Sequence, residues 1–368
     1  MNLYLIVLAS LVVGIQLGFL IFFLVVFSRR YPAAPSSVNP PVSVIVCAHD
    51  EEKNLRELVP LLLRQDYPTF EIIVVEDRCN DATYDYLLEV TRNHQKVRMV
   101  RVLHLPEHVN GKKYALTLGI KAAAYEWVLL TDADCRPANE GWIKSMAAYA
   151  SPPHELVIGY SPYERRPGFL NVFIRFEALI TAVQCMGLAL AGRPYMGTGR
   201  NLAYTRSLFL DNKGFHKYLQ VTGGDDDLFV NQHARKENTA VALGPDTLTR
   251  SAPKGNWKEF FYQKLRHLAA GKHYKWSDRF LLGMVSATWI LTWIFVLPFT
   301  FFSPFAIYGW SALVFRILLL VVVAHRASRM LGEPFESWKC PLLDFIYAIY
   351  YLGTGLVALI SKRIRWKI

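Results

Sequence analysis

The sequence lacks charge over two long stretches. Its 368 residues are 52% apolar and only 19% charged, whereas soluble globular domains carry about 25% charged residues. No charged residue precedes Arg29, and none lies between Arg279 and Arg316. Because about 20 consecutive apolar residues can cross a bilayer, both stretches are candidate membrane spans. This composition excludes an entirely soluble enzyme, a disordered chain and a small secreted disulfide-rich domain.

The sequence also lacks the cysteine and glycine motifs of several common protein classes. It has five cysteines, none of them in a CxxC pair, so we expect reduced thiols and neither a disulfide framework nor a zinc site. It contains no GxGxxG and no GxxxxGK[ST] motif. Dinucleotide dehydrogenases and P-loop NTPases are therefore not indicated. The cysteines are Cys47, Cys79, Cys135, Cys185 and Cys340.

The N-terminal apolar run predicts an uncleaved membrane anchor over residues 1–28. It extends from Leu3 to Phe27 with no basic residue before it, unlike a cleaved signal peptide. Arg29 and Arg30 follow at once. Since basic residues favour the cytoplasmic side of a membrane, the following domain is expected to be cytoplasmic.

The C-terminal region, residues 281–368, predicts two or three further spans. Leu281–Phe302 and Phe305–Val323 are strong candidates separated by a Ser-Pro pair, and Phe345–Ile360 is weaker. Three spans would place the basic tail outside, against the positive-inside rule, so the number of spans stays open. The basic residues of that tail are Lys362, Arg363, Arg365 and Lys367.

Residues 250–280 are expected to lie on the membrane surface as an amphipathic segment. Residues 250–279 carry eight lysines and arginines against Glu259 and Asp278, with aromatic residues interleaved. A nucleic-acid-binding patch can have a similar composition. A candidate span follows directly, however, so the pattern favours contact with anionic lipids, and no nucleic-acid partner is expected.

Between these apolar ends, residues 29–249 alternate strand and helix patterns. A proline-rich linker at 32–41 comes first, and no internal repeat is present. The alternation predicts an α/β domain with a doubly wound, mostly parallel sheet. The predicted strands are 42–46, 71–75, 97–103 and 127–130, and the clearest helical stretches are 81–94 and 111–124.

Acidic residues follow three of the four predicted strands. In doubly wound sheets, ligands bind beyond the carboxyl ends of the strands, so these side chains are expected at one edge. Grouped carboxylates repel one another unless a cation or a donor-rich ligand lies between them. A single acid there can instead cap a helix, which we expect for Asp81. The acids are Asp50, Glu51, Glu52, Glu76, Asp77, Asp81, Asp132 and Asp134.

Seven short motifs follow one another between residues 42 and 267. They are Val42–Glu52, Glu71–Asp77 with Asp81–Thr83, Asn110–Lys112 with Ala115–Leu116, Thr131–Asp134, Gly197–Asn201, Gly223–Leu228 and Gln263–His267. In this order and flanked by membrane segments, they resemble the family 2 glycosyltransferases. These are inverting enzymes of GT-A fold that use nucleotide sugars, and the likeness extends to membrane-bound cellulose, chitin and hyaluronan synthases. The chain departs from the pattern at Asp50 (usually Asn), Glu76 (Asp), Gly224 (Glu) and His267 (Trp).

The resemblance implies a divalent cation and a donor site. Asp134, with Asp132 directly or through water, would hold Mn²⁺ or Mg²⁺, which neutralises the leaving diphosphate. Lys112 and Arg266 would contact the diphosphate. The family's nucleoside and uracil contacts correspond to two further residues, Glu51 and Asp77.

The resemblance also implies an acceptor site. Asn201 belongs to the acceptor-side block, and the last block, with Gln263 and His267, would close over the active site. Asp225 would be the general base that takes the proton of the acceptor hydroxyl. Asp226 is the alternative one residue along, and either aspartate can instead be a helix cap.

Together these observations predict a multi-pass protein of the inner (plasma) membrane with a cytoplasmic catalytic domain. It would transfer a sugar from a nucleotide sugar, expected to be UDP-linked, to a lipid-linked or membrane-proximal saccharide acceptor. Two alternatives stay open: a processive polysaccharide synthase, and a nucleotide-binding membrane scaffold without activity. A short product is expected, because the C-terminal spans are few and apolar, with Arg316 as their main charge.

Overall fold

The computed structural model describes residues 3–31, 39–302 and 306–360, which divide into two compact units. An α/β unit comprises residues 31–165 and 188–253, and a helical unit comprises residues 1–30, 166–187 and 254–368. Residues 166–187, which the sequence pattern left within the 29–249 domain, belong to the helical unit. Most of the proline-rich linker and the basic C-terminal tail lie outside the described residues.

The α/β unit contains a seven-stranded sheet in the order β3-β2-β1-β4-β7-β6-β8. Strands β1 to β4 are parallel, as predicted, β7 is antiparallel to β4 and β6, and β8 is parallel to β6. The mostly parallel α/β sheet is therefore confirmed. The strands are β1 (Val42–Ala48), β2 (Phe70–Asp77), β3 (Val97–Val102), β4 (Trp127–Asp132), β5 (Cys135–Pro137), β6 (Leu156–Ile158), β7 (Leu202–Thr205), β8 (Thr239–Val241) and β9 (Thr249–Ser251), and β5 pairs with β9 in a separate ribbon.

Twelve α-helices are present among the described residues. They are α1 (Leu3–Ser28), α2 (Glu52–Leu63), α3 (Thr83–Asn93), α4 (Gly111–Ala122), α5 (Trp142–Ala147), α6 (Phe169–Leu190), α7 (Arg206–Asp211), α8 (Asp227–His233), α9 (Trp257–Gly271), α10 (Trp276–Phe302), α11 (Ala306–Met330) and α12 (Cys340–Ile360). Short 3-10 helices lie at His216–Tyr218, Pro245–Thr247 and Ser337–Lys339.

The parallel strands form the core of the α/β unit. Strand β2 is buried along its whole length, which explains its continuous apolar run, since helices cover both faces of a parallel sheet. Helix α4 packs closely on this sheet at Gly119, where a Cβ would lie only 2.8 Å from Ile45 and 2.9 Å from Val75. This close packing fixes the N-terminal end of α4 at the carboxyl edge of the strands.

The helical unit contains five helices long and apolar enough to cross a membrane: α1, α6, α10, α11 and α12. The anchor and the two strong C-terminal candidates were predicted, and the weaker candidate Phe345–Ile360 lies within α12. Of the two strong candidates, α11 extends seven residues beyond the predicted limit at Val323. The Ser-Pro pair between them lies outside the described residues. Helix α6 was not predicted as a candidate span.

A buried ion pair joins α11 and α12. Arg316 and Asp344 have side chains with no solvent exposure, and they pair through two contacts, one of them 3.1 Å from Arg316 Nη2 to Asp344 Oδ1. The guanidinium lies over the rings of Trp289 and Trp293 of α10, at 5.2 and 5.7 Å from their centroids. The sequence pattern identified Arg316 as an isolated charge, whereas the structure pairs it with Asp344.

Candidate active site

The carboxyl ends of the parallel strands bring the predicted acidic residues to one edge of the sheet. In the β1–β4 pairing, Cys47 lies opposite Asp132, and in the β1–β2 pairing, Ala48 lies opposite Glu76. Turns that leave β1, β2 and β4 therefore start side by side. The N-terminus of α4 contributes Lys112 to the same edge, and the loop before α8 contributes Asp225.

Lys112 connects two of the predicted motifs. Its Nζ lies 3.0 Å from Asp132 Oδ1 and 3.3 Å from Asp225 Oδ2. Burial alone would lower the pKa of Lys112, but Asp132, Asp225 and Asp226 outweigh it and raise that pKa well above the usual value. Burial disfavours the charged form of Asp132 as well and would raise its pKa, but Lys112 and Arg200 outweigh this effect and lower that pKa. Both groups are therefore charged at neutral pH.

The two candidate general bases have different surroundings. Asp226 caps α8, because its Oδ1 accepts from the N–H of Asp227 at 2.7 Å and its Oδ2 accepts from the N–H of Gly199 at 2.7 Å. Burial and the neighbouring Asp225 raise the pKa of Asp226. Asp225 instead directs Oδ2 toward Lys112. This geometry favours Asp225 as the reacting group and gives Asp226 the structural role.

A double glycine shapes the loop that carries Asp225. Gly223 and Gly224 have φ of 78° and 79°, in the left-handed region that favours glycine. A Cβ on Gly224 would also lie 2.4 Å from Cδ1 of Leu228. The glutamate usual in the family at this position therefore does not fit this backbone, which accounts for one departure from the pattern.

The same loop is attached to α4 by Lys113, a residue that the sequence analysis missed. Lys113 is fully buried, and its Nζ donates to the carbonyl oxygens of Val221 and Gly223. One residue before α4, the N–H of Asn110 donates to Leu219 O at 3.0 Å. Burial lowers the pKa of Lys113 to about 8. In the sequence, only its position next to Lys112 could have drawn attention to Lys113. That position does not predict the contact, because adjacent residues of a helix point in different directions.

Asp132 and Asp134 provide oxygen ligands suited to Mg²⁺ or Mn²⁺. Both are half-buried at the end of β4, and Mg²⁺ sites commonly use one or two carboxylates together with substrate phosphates. The donor set therefore fits the predicted cation. A three-residue group of ligand type, Asp50, Cys79 and Asp81, lies elsewhere on the edge.

The turn structure accounts for that exposed group. Asp50 Oδ1 accepts from the N–H of Asn80 at 2.6 Å, and Asp81 Oδ2 accepts from the N–H of Glu52 at 3.1 Å. Asp81 Oδ1 also accepts from the N–H of Thr83 at 3.0 Å. Asp81 thus accepts from the first backbone N–H of both α2 and α3, although the N-cap positions themselves are Glu51 and Ala82.

The predicted nucleoside contacts have partners within the chain. Asp77 is buried and pairs with Arg78 through both oxygens, at 2.8 and 3.2 Å. Glu51 Oε2 accepts from the side chain of Asn54 at 2.6 Å. A Cβ on Gly111 would lie 2.7 Å from Arg78 Nη2, so this glycine permits the arginine to approach. A base N–H at Asp77 would therefore share the carboxylate with Arg78.

Asn201 lies in the core rather than in the open edge. Its side chain is fully buried, donates to the carbonyl oxygens of Tyr160 and Thr247 at 2.7 Å each, and accepts from Trp142 Nε1 at 3.1 Å. This placement does not support the predicted substrate contact, because its hydrogen-bonding atoms are already used. These hydrogen bonds instead anchor Asn201, the last residue of the loop Gly197–Asn201, in the core.

Three predicted residues, Gln263, Arg266 and His267, lie on α9 in the helical unit. Between them, Lys264 forms a 2.6 Å ion pair with Glu177 of α6, which also accepts from Thr181 at 3.0 Å. Burial lowers the pKa of Arg266. These contacts fix α9 against α6, while the substrate roles of the three residues stay predictions.

Comparison with known proteins agrees with this fold. The family model described as "Glycosyltransferase like family 2" matches residues 40–270, more than half of the chain. The probable glycosyltransferase YdaM of Bacillus subtilis is 24% identical over 67% of this chain and 59% of its own length. A poly-beta-1,6-N-acetyl-D-glucosamine synthase of Staphylococcus epidermidis is 32% identical over 25% of this chain and 21% of its own. The chain thus spans less than two thirds of these relatives.

Among solved structures, the mannosyltransferase PcManGT from Pyrobaculum calidifontis has the same fold. It aligns with a TM-score of 0.61 over 98% of this chain and 99% of its own, at 19% sequence identity. That structure contains GDP-Man and Mn²⁺. The match over residues 40–270 shows that the chain belongs to glycosyltransferase family 2, and its fold is of the GT-A type.

Proposed function

We propose that this enzyme transfers a single sugar, or very few, from a nucleoside diphosphate sugar to a lipid-linked or membrane-proximal saccharide acceptor, with inversion at the anomeric carbon. The observation that carries the proposal is the position of Lys112. Its ammonium contacts Asp132 of the metal-binding motif and Asp225, the candidate base, at 3.0 and 3.3 Å. The ammonium group of Lys112 thereby contacts both the residues proposed to bind the leaving group and the residue proposed to accept the proton.

On the donor side, Asp134 and Asp132 would hold the divalent cation. When bound, this cation supplies positive charge that neutralises the diphosphate as it leaves. Lys112 adds a second positive charge, and the N-terminus of α4 favours an anion in the same place. The Mn²⁺ in the PcManGT complex supports a cation here. The family resemblance favours uridine in the donor, whereas the PcManGT complex contains a guanosine donor, GDP-Man. Donors with either nucleobase should therefore be tested.

On the acceptor side, Asp225 would accept the proton of the attacking hydroxyl. The hydroxyl oxygen bonds to the anomeric carbon while the bond from that carbon to the diphosphate oxygen breaks. The proton passes to the Asp225 carboxylate, and the diphosphate leaves with the bonding electrons. Attack opposite the leaving group inverts the anomeric centre. Positioned general bases typically contribute about 10²–10⁴-fold to rate.

The helical unit supports a membrane location. Five apolar helices are available to span a bilayer, and aromatic side chains on α9 and at the start of α10 are exposed beside lysines and arginines. Trp276 and Phe280 stack on each other at 5.5 Å while both are exposed, as expected for side chains at a lipid–water interface. A cytoplasmic catalytic domain anchored in the inner membrane would have access to cytosolic nucleotide sugars and lipid-borne acceptors.

Processive polymer synthesis is the second candidate, favoured by the 32% identical segment of the staphylococcal synthase. A processive enzyme needs a polar path for the growing polymer. The main charge of the predicted C-terminal spans, Arg316, is fully buried beside Asp344, Trp289 and Trp293. It therefore does not line such a path, and the shorter product is the better supported proposal.

The direct test uses the full-length enzyme purified in detergent. UDP- and GDP-linked sugars are screened for thermal stabilisation in the presence of Mn²⁺ or Mg²⁺, and each stabilising donor is then supplied radiolabelled with a lipid extract. We expect one nucleotide family to stabilise the protein only with the cation and to label a lipid product.

Asp134→Asn is the matched variant for this screen. It should lose both the cation-dependent stabilisation and the transfer. Stabilisation by nucleotide sugar without transfer to any acceptor or water would support the inactive scaffold. A ladder of high polymer would support the processive synthase.

A further inference from the structure

The loop Gly197–Asn201 contributes a cation that the proposed mechanism has not used. It leads into β7, which runs antiparallel to β4, with Leu202 opposite Leu130 and Thr205 opposite Trp127. The start of β7 therefore lies beside the carboxyl end of β4, where the metal-binding motif begins. Arg200, two residues before β7, is at this edge for that reason.

Both neighbours of Arg200 are fixed in the chain. The N–H of Gly199 donates to Asp226 Oδ2, and a Cβ on Gly199 would lie 3.3 Å from Cβ of Asp226, so the loop closely approaches the base-carrying loop. Asn201 is held in the core through three side-chain hydrogen bonds. The backbone at Arg200 is thus positioned from both sides.

The guanidinium of Arg200 lies over an aromatic ring and close to two carboxylates. Its Cζ lies 4.6 Å from the ring centroid of Tyr163. Asp134 and Asp132 both act on it electrostatically, and Lys112 already occupies Asp132 through a hydrogen bond. The Nη1 atom of Arg200 is shielded from solvent and has no hydrogen-bond partner among the described residues.

A shielded guanidinium nitrogen without an acceptor is unfavourable unless an anion binds there. Planar guanidinium groups match phosphoryl oxygens with two parallel N–H···O bonds, and stacking on Tyr163 pre-organises this one. We propose that Arg200, in the loop before β7, binds phosphoryl oxygens at the catalytic edge to which α4 contributes Lys112. This inference rests on the proposed glycosyl transfer. The phosphoryl group can come from the donor diphosphate or from a phosphorylated acceptor.

Arg200→Lys tests the inference, because lysine keeps the charge but loses the forked geometry. Arg206→Lys is the matched control, since Arg206 follows β7 at its other end and donates to the carbonyl oxygens of Ile120 and Lys121. Calorimetric titration with Mg²⁺ measures the affinities of UDP, UMP and uridine, the guanosine series, and inorganic pyrophosphate. Acceptor KM is measured with the stabilising donor.

If Arg200 binds the donor diphosphate, Arg200→Lys should lower the affinities for nucleoside diphosphate and pyrophosphate about tenfold to a hundredfold. The affinity for nucleoside should not change, and the Arg206→Lys control should bind all of these ligands as wild type does. Acceptor binding predicts unchanged nucleotide affinities and a similar increase in acceptor KM. Either result supports the proposal that Arg200 binds a phosphoryl group, and it shows whether that group belongs to the donor or to the acceptor.

Two results would overturn the inference: no change in any of these quantities, or an equal loss for nucleoside and diphosphate, which indicates structural support only. A wild-type enzyme that binds no nucleotide would instead contradict the proposed function itself.

Discussion

Removing the guanidinium of Arg316 is expected to destabilise the helical unit severely. Arg316 and Asp344 have no exposed side-chain surface and form a two-contact ion pair. In the variant Arg316→Leu, the Asp344 carboxylate is left without its partner in the described part of the chain. Loss of one member of a buried pair typically costs about 3–5 kcal/mol. The rings of Trp289 and Trp293 also lose a cation, which adds roughly 0.5–2 kcal/mol.

The double variant Arg316→Leu/Asp344→Leu separates this reasoning from a simple packing defect. Replacing both charges by apolar side chains is often neutral or stabilising, so the double variant is expected to recover most of the lost stability. Thermal and denaturant unfolding in a mild detergent, with tryptophan fluorescence as the signal, compares the four members of the cycle. A single variant as stable as wild type, or a double variant that simply adds the two single losses, would refute the argument.

Further predictions concern the base-carrying loop, product length and topology. Lys113→Met removes both Nζ contacts to the loop, so transfer is expected to decrease at least about tenfold while nucleotide affinity, measured by calorimetry, stays within about twofold. Because burial lowers the pKa of Lys113 from 10.5 to about 8, the folded protein binds fewer protons than the unfolded chain between those values. Stability relative to Lys113→Met should therefore rise with pH across that window, measured by denaturant unfolding. Gly224→Ala should impair folding or activity, because its Cβ meets Leu228 at a positive φ, whereas Gly255→Ala, with open space around it, should not. Gel analysis after many turnovers should show only short products, and a reporter fused after Arg30 should be active on the cytoplasmic side only.

Much of the α/β sheet could be predicted because three of its parallel strands, β1, β2 and β4, are buried on both faces. Such strands read as continuous apolar runs, as β2 does. Strands β5, β6, β8 and β9 contain three residues each, too few for a local pattern, and their pairing depends on distant segments. Helix α6 was missed as a candidate span because two charged residues interrupt it. Arg175 pairs with Glu336 at 3.1 Å and Glu177 pairs with Lys264 at 2.6 Å, and neither partner is visible in the local sequence.

In the candidate site too, the sequence motifs predicted which residues take part, but not the contacts that these residues make in the folded protein. The order of the blocks was enough to predict roles for Asp134 and Asp225, because the family pattern prescribes their positions. It did not separate the cap Asp226 from its neighbour, since that distinction depends on the N–H of Gly199. It also gave Asn201 a substrate contact, although the side chain points into the core. Lys113 and Arg200 were missed because side-chain direction is set by packing rather than by sequence position.

The most direct test of the account compares Asp225→Asn with Asp134→Asn in the same purified preparation. Calorimetry measures cation-dependent binding of the donor nucleotide, and single-turnover assays measure transfer to the acceptor. We expect Asp225→Asn to bind nucleotide as wild type does but to transfer about 10²–10⁴-fold more slowly, whereas Asp134→Asn should lose both functions. An Asp225→Asn enzyme that retains full transfer, or an Asp134→Asn enzyme that remains fully active in the presence of a chelator, would contradict it.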